Sequence, residues 1–236
     1  MDRDLSLSTR IEEQRSKIEV KQNIVEFKLE EIKSHFDENI INIEQNIIIS
    51  DEMMKNNQVS TSKSILRSQI VFLESALDFY LHELTKCGIS KIFIGEWPKT
   101  ERYYNLKVDM KLIDEAIKKP ESIEWLLEYI NEKIKREVYI SFDSMKDQLN
   151  LLGIEFENVV TLSFEKYYNN DGNLVDGKKL IKDLFTRRNE IAHQSDRNHF
   201  NAVQNDITKE YVLYNINAIK HFVETIHHFA VSKSNE

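Results

Sequence analysis

Ten residues near the C-terminal end hold the side chains best suited to chemistry: Leu184-Phe185-Thr186-Arg187-Arg188-Asn189-Glu190-Ile191-Ala192-His193. Within them, Arg188 and His193 are the pair of interest. An imidazole with an ordinary pKa near 6.5 can give or take a proton around neutrality. A guanidinium stays cationic and can bind two phosphate oxygens at once. Together these groups suit cleavage of RNA, which carries its own nucleophile in the 2′-OH. A catalyst then needs only to move protons and to stabilise the crowded, negatively charged phosphorus. The expected products are a 2′,3′-cyclic phosphate and a 5′-hydroxyl, and neither a metal nor a cofactor is required.

Helical spacing constrains how the pair can work. Five residues advance an ideal helix by about 500°, so Arg188 and His193 stand about 140° apart and do not share a face. Asn189 and His193, at i and i+4, do share one. Upstream, Glu74 and Asp78 also sit at i and i+4, where they can pair with Arg188 or orient His193, or remain solvated. Lys178, Lys179, Lys182, Arg187 and Arg197 surround the motif in sequence and offer a surface for RNA phosphates, or an ordinary solvated face. Other candidates are weaker. His221, His227 and His228 lack the i, i+4 spacing of a metal pair, and Cys87 has no base near it in sequence, so a buried thiol is expected. Tyr103-Tyr104 and Tyr167-Tyr168 can stack on bases or pack in the core and loops. No Walker A loop or GxGxxG fingerprint occurs.

The elements that must position these residues read as helices. The chain has 236 residues, 41% of them hydrophobic, but Gly 5 and Pro 2 only, too few for the many turns of an all-β fold. An all-α fold is expected. Residues 5 to about 49 read as one long amphipathic helix, with Val25, Leu29, Ile32, Phe36, Ile40, Ile43 and Ile47 on one stripe and a thinner stripe through Ile11 and Ile18. Such a helix either packs on the body or pairs with a second copy. The polar stretch Lys55 to Lys63 suggests a boundary between an accessory segment, 1–55, and a helical domain, 60–231. A second helix, capped by Ser60, Thr61 or Ser62, carries Leu66, Ile70, Leu73, Leu77, Leu81 and Leu84 and is expected to stop near Gly88. Ile92 to Gly95 is a candidate short strand. A helix resumes near Asp109, and Pro120 suits the first turn of the next. Shorter helices follow over Ser141 to Leu152 and 155–166, then a turn-rich loop, Tyr167 to Gly177. The motif helix runs from about Lys178 past His193. The last helix, 207–231, repeats Val212, Ile216, Ile219, Val223, Ile226 and Ala230 in strict steps of four and three.

The Arg188-Asn189-x-x-x-His193 segment, on a penultimate helix before one long amphipathic helix and after RSQIVFLESALDFYLHEL (residues 67–84), resembles the R-x4-6-H motif of HEPN domains. The resemblance covers about residues 60–231 and leaves the N-terminal helix outside it. It implies an HEPN-like helical bundle and a metal-independent endoribonuclease of RNA processing, defence or stress response. It also implies a homodimer whose composite cleft gathers two copies of Arg188 and His193, with Asn189 orienting His193 or holding a phosphate oxygen. The alternative is a non-catalytic HEPN module that binds RNA or a protein. HEPN toxins paired with a nucleotidyltransferase often carry Tyr two residues past the His; Ser195 stands there in this chain, which puts that route of neutralisation in doubt.

The formal charge is −8, which disfavours a whole-surface nucleic-acid binder but not a local basic patch. RNA, a second copy and a regulatory protein are the expected partners, with no DNA and no membrane. One cysteine, no apolar leader and no run of about 18 apolar residues together suggest a reducing, cytoplasmic setting.

Overall fold

A computed structural model describes residues 26–120, 122–134, 139–169 and 171–234. The expected stripe positions Ile11, Ile18 and Val25 lie outside them. The fold is all-α: the described residues form nine helices and no strand, with two isolated β-bridges in loops.

Helix α1 (Leu29–Lys55) begins where the Lys28 N–H donates to the Glu31 carboxylate at 2.8 Å. Leu29, Ile32, Phe36, Ile40, Ile43 and Ile47 are buried in the same hydrophobic cluster as the rest of the chain. The stripe is therefore covered within one molecule, mainly by α2 (Val59–Ile94) and partly by α9 (Lys209–Lys233). Polar contacts fix its register. Ser50 Oγ lies 2.8 Å from Ser62 Oγ, Lys33 reaches Glu224 at 3.2 Å and Lys220 reaches Glu44 at 3.1 Å.

Helix α2 has 36 residues, about 54 Å of rod. Its N-cap is Gln58 rather than a hydroxyl residue; Ser62 is buried and spends its hydroxyl on Ser50. The helix also runs through Gly88, where an added Cβ would stand 2.7 Å from Leu152 Cδ2 and 2.8 Å from Trp97 Cζ3. That glycine permits close packing and does not end the helix. Termination falls at Gly95, left-handed at φ 86°, so Ile92 to Ile94, expected as a strand, form the last helical turn.

Four short helices follow: α3 (Glu101–Tyr104), α4 (Met110–Lys118), α5 (Glu124–Ile134) and α6 (Phe142–Leu151). Asp109 is the N-cap of α4, as the expected restart there requires. Pro120 lies ahead of α5, not inside its first turn; the Glu124 N–H donates to Ser122 Oγ at 3.2 Å. Helix α7 (Phe156–Phe164) leads to a small hairpin, where Tyr168 bridges Leu174, and then to α8 (Gly177–Gln194). All six stripe residues expected on the last helix are buried on α9. No described helix is long and apolar enough to cross a membrane.

Candidate functional site on helix α8

Two devices set the start of α8. The Asp176 carboxylate accepts from the Lys179 N–H at 3.1 Å, satisfying an amide that the first turn leaves unpaired. Gly177 abuts the Phe164 ring so closely that a Cβ would lie 2.1 Å from Cδ2. Leu180, Ile181 and Leu184 then bury the first half against α2 and α7. Beyond Leu184 the side chains become half-buried or exposed, and the helix carries the motif out to the surface. The chain turns off through Ser195 and Asp196, both left-handed, at φ 53° and 58°.

Arg188 and His193 occupy one unbroken helix, so the angular separation of about 140° holds. Their surroundings differ accordingly. Arg188 is half-buried against α2; its Nη1 donates to Asn189 Oδ1 at 3.0 Å, and its Nε is buried without a hydrogen-bond acceptor. His193 is exposed in the last turn and makes no side-chain hydrogen bond among the described residues. Asn189 Oδ1 goes to Arg188, and no hydrogen bond joins Asn189 to His193.

The two upstream carboxylates part company. Glu74 is 2% exposed, and its Oε2 has no hydrogen-bond partner. Burial pushes its carboxyl up to about 8, the Arg188 charge pulling it down and the Asp78 charge pushing it up. At neutral pH Glu74 is thus mostly a neutral acid. It adjoins Arg188 without neutralising it, and no salt bridge to Arg188 forms among the described residues. Asp78 is committed elsewhere: its Oδ1 accepts from the Tyr139 N–H at 2.8 Å and stands 3.5 Å from His82 Nε2.

The basic residues divide in the same way. Arg187 is not on an open surface. Its Nη1 lies 2.6 Å and its Nη2 2.9 Å from the oxygens of Asp196, and Nη2 also donates to the Asp206 carbonyl at 2.8 Å. Asp196, 0% exposed, receives a second arginine from α2, with Arg67 Nε at 2.6 Å. This clamp has no signature in the sequence, because Arg67 lies 129 residues from Asp196 and both α2 and the loop must fold first. Lys178, Lys179, Lys182 and Arg197 are exposed. Lys178 pairs with Glu157 at 2.6 Å, Lys182 covers the Phe142 ring at 4.8 Å, and Arg197 donates to the Ala202 carbonyl at 2.7 Å.

Cys87 is buried, which raises its thiol to about 12. Tyr103 and Tyr167 pack against the core, whereas Tyr104 and Tyr168 are exposed. His221 stacks on Tyr167 with ring centroids 6.1 Å apart. Among the described residues, no group of three His, Cys, Asp or Glu side chains is placed to hold a metal ion. No protein-family model matches the chain, and no curated protein or solved structure shows a match to it.

Proposed function

We propose that this chain is a metal-independent endoribonuclease of the HEPN kind, acting as a homodimer in RNA processing, defence or stress response. The observation that carries the reading is the state of Arg188. It is a half-buried guanidinium beside a largely protonated carboxyl, with the Asn189 amide oxygen as its hydrogen-bond acceptor and no carboxylate partner among the described residues. A cation held in this way favours an incoming anion, such as the phosphate oxygens of RNA. A motif serving only as an internal network would instead have its charge paired, as Arg187 and Arg67 do on Asp196.

In the reaction the 2′-oxygen attacks phosphorus as its proton is taken up. The bond from phosphorus to the 5′-oxygen breaks, and that oxygen receives a proton. His193 is the proton carrier and is exposed at the helix end, accessible to substrate. Arg188 binds the non-bridging oxygens as charge develops on them. The pair lies on different faces of α8, and the HEPN resemblance implies a cleft in which two copies of the chain bring their Arg188 and His193 side chains together. The two imidazoles could then divide the acid and base roles.

The test is cleavage of single-stranded RNA in EDTA by the wild type, His193→Ala and Arg188→Ala. Loss of general acid–base catalysis should lower the rate of His193→Ala by about 10²- to 10⁴-fold, and loss of a charge-stabilising donor should lower that of Arg188→Ala by about 10²- to 10³-fold. A folded wild type that binds RNA without cutting it would favour the interaction-module reading.

A further inference from the structure

The loop that follows the motif helix, residues 195–206, is built more rigidly than a connection requires. Arg197 and Gln204 form a β-bridge. The Asn198 N–H donates to the Val203 carbonyl at 2.9 Å, the Ala202 N–H to the Asn198 carbonyl at 2.8 Å and Gln204 Nε2 to the Ser195 carbonyl at 3.0 Å. Asn198 and Asn201 use their Oδ1 atoms inside the loop, accepting from the N–H groups of Phe200 at 2.8 Å and Val203 at 3.0 Å. Ser195, Asp196 and Ala202 hold positive φ, which residues other than glycine rarely adopt. The base of the loop is fixed to α2 and α8 by the Asp196 clamp and by Arg67 Nη2, which donates to the Asn205 carbonyl at 2.6 Å.

This framework presents one aromatic ring. Phe200 is 99% exposed at the tip, seven positions past His193. Its neighbours His199 and Asn201 are polar and exposed. The only other large apolar side chain exposed on the loop is Val203. A lone ring among hydrogen-bonding side chains is a poor protein-docking patch, which needs contiguous apolar area. It suits single-stranded RNA, where one aromatic face takes one base whatever its identity. The nearby carboxylates do not oppose phosphates: Asp196 is held by two arginines, and Asp206 pairs with Lys63 at 2.6 Å.

We infer that Phe200 is a base-stacking platform for an unpaired nucleotide of the substrate, fixed relative to His193 by the Asp196 clamp. The inference rests on the ribonuclease reading and specifies how the same site takes its substrate. Unpaired bases offer a face to the ring, and stacked duplex bases do not, so it also assigns the site a preference for single strands.

The experiment measures full-length protein binding to a fluorescent single-stranded oligonucleotide, 2′-O-methylated to prevent cleavage, alongside cleavage of the matching RNA. Because the ring touches almost nothing in the fold, Phe200→Ala should leave circular dichroism and thermal unfolding unchanged. It should weaken single-strand binding roughly 5- to 160-fold, the range for loss of one stacked base, and raise KM more than it lowers kcat. Phe200→Trp should bind like the wild type, and Phe200→Leu should resemble Phe200→Ala. Equal binding by wild type and Phe200→Ala, with wild-type cleavage intact, would overturn the inference and leave the ribonuclease reading standing. Phe200→Leu matching the wild type would show generic apolar burial, as against a protein partner, and would overturn it too. A wild type that neither binds nor cuts RNA would remove both.

Discussion

Glu74 is the residue whose behaviour follows most directly from its surroundings. Its carboxyl titrates near 8 in the fold, against about 4.5 in the unfolded chain. The folded state therefore holds the proton more tightly, and the contribution of Glu74 to stability is fully present below pH 4.5 and is lost as pH rises toward 8. Urea unfolding of the wild type and Glu74→Gln at pH 5, 7 and 9 should show the wild type losing on the order of 3 to 5 kcal/mol relative to the variant across that range. A constant difference would mean that the carboxyl is not buried as described. Cys87 gives a second check. Its buried thiol, raised to about 12, should react with iodoacetamide at neutral pH only as fast as the protein unfolds. The candidate residues were legible in the sequence, but their states were not. Arg188 and His193 stand out by type and spacing, whereas the unpaired charge of one and the exposure of the other depend on how α8 lies against α2. Nothing in the residue order separates Arg187, turned inward to Asp196, from its neighbour Arg188.

At the scale of elements, periodicity carried most of the information. The six-residue stripe of α9 and the Leu29-to-Ile47 stripe of α1 are buried as their spacing demands, because a helix in a bundle must cover one face. Terminators were less legible. Gly88 and Gly95 are the same residue type, and only the approach of Leu152 and Trp97 shows that the first serves packing and the second ends the helix. The Asp196 clamp joins three elements: α2, α8 and the loop before α9. Asp196→Ala would leave the buried Arg67 and the half-buried Arg187 without their carboxylate and should destabilise the fold by about 3 to 5 kcal/mol, read as a fall in the urea midpoint at unchanged slope. Phe36, fully buried between α1 and α2, should cost about 3 to 5 kcal/mol when replaced by Ala.

For the whole molecule, one buried hydrophobic cluster runs from Leu29 to Ala230 and takes in α1 together with the helices that follow it. A chain lacking residues 1–58 would expose the face of α2 that α1 covers, including Phe36's neighbour Tyr80. It should bind hydrophobic dye and lose near-ultraviolet dichroism, while the full chain unfolds in one transition. The charge of −8 makes any RNA contact a local affair, which concentrates attention on the exposed end of α8 and its loop. The proposed metal-free cleavage of RNA by Arg188 and His193 is checked by mass spectrometry of the fragments that the purified protein makes in EDTA, beside His193→Ala. Fragments ending in 2′,3′-cyclic phosphate, made by the wild type and absent with the variant, are the predicted result. Fragments ending in 3′-hydroxyl, or equal cutting by both proteins, would contradict it.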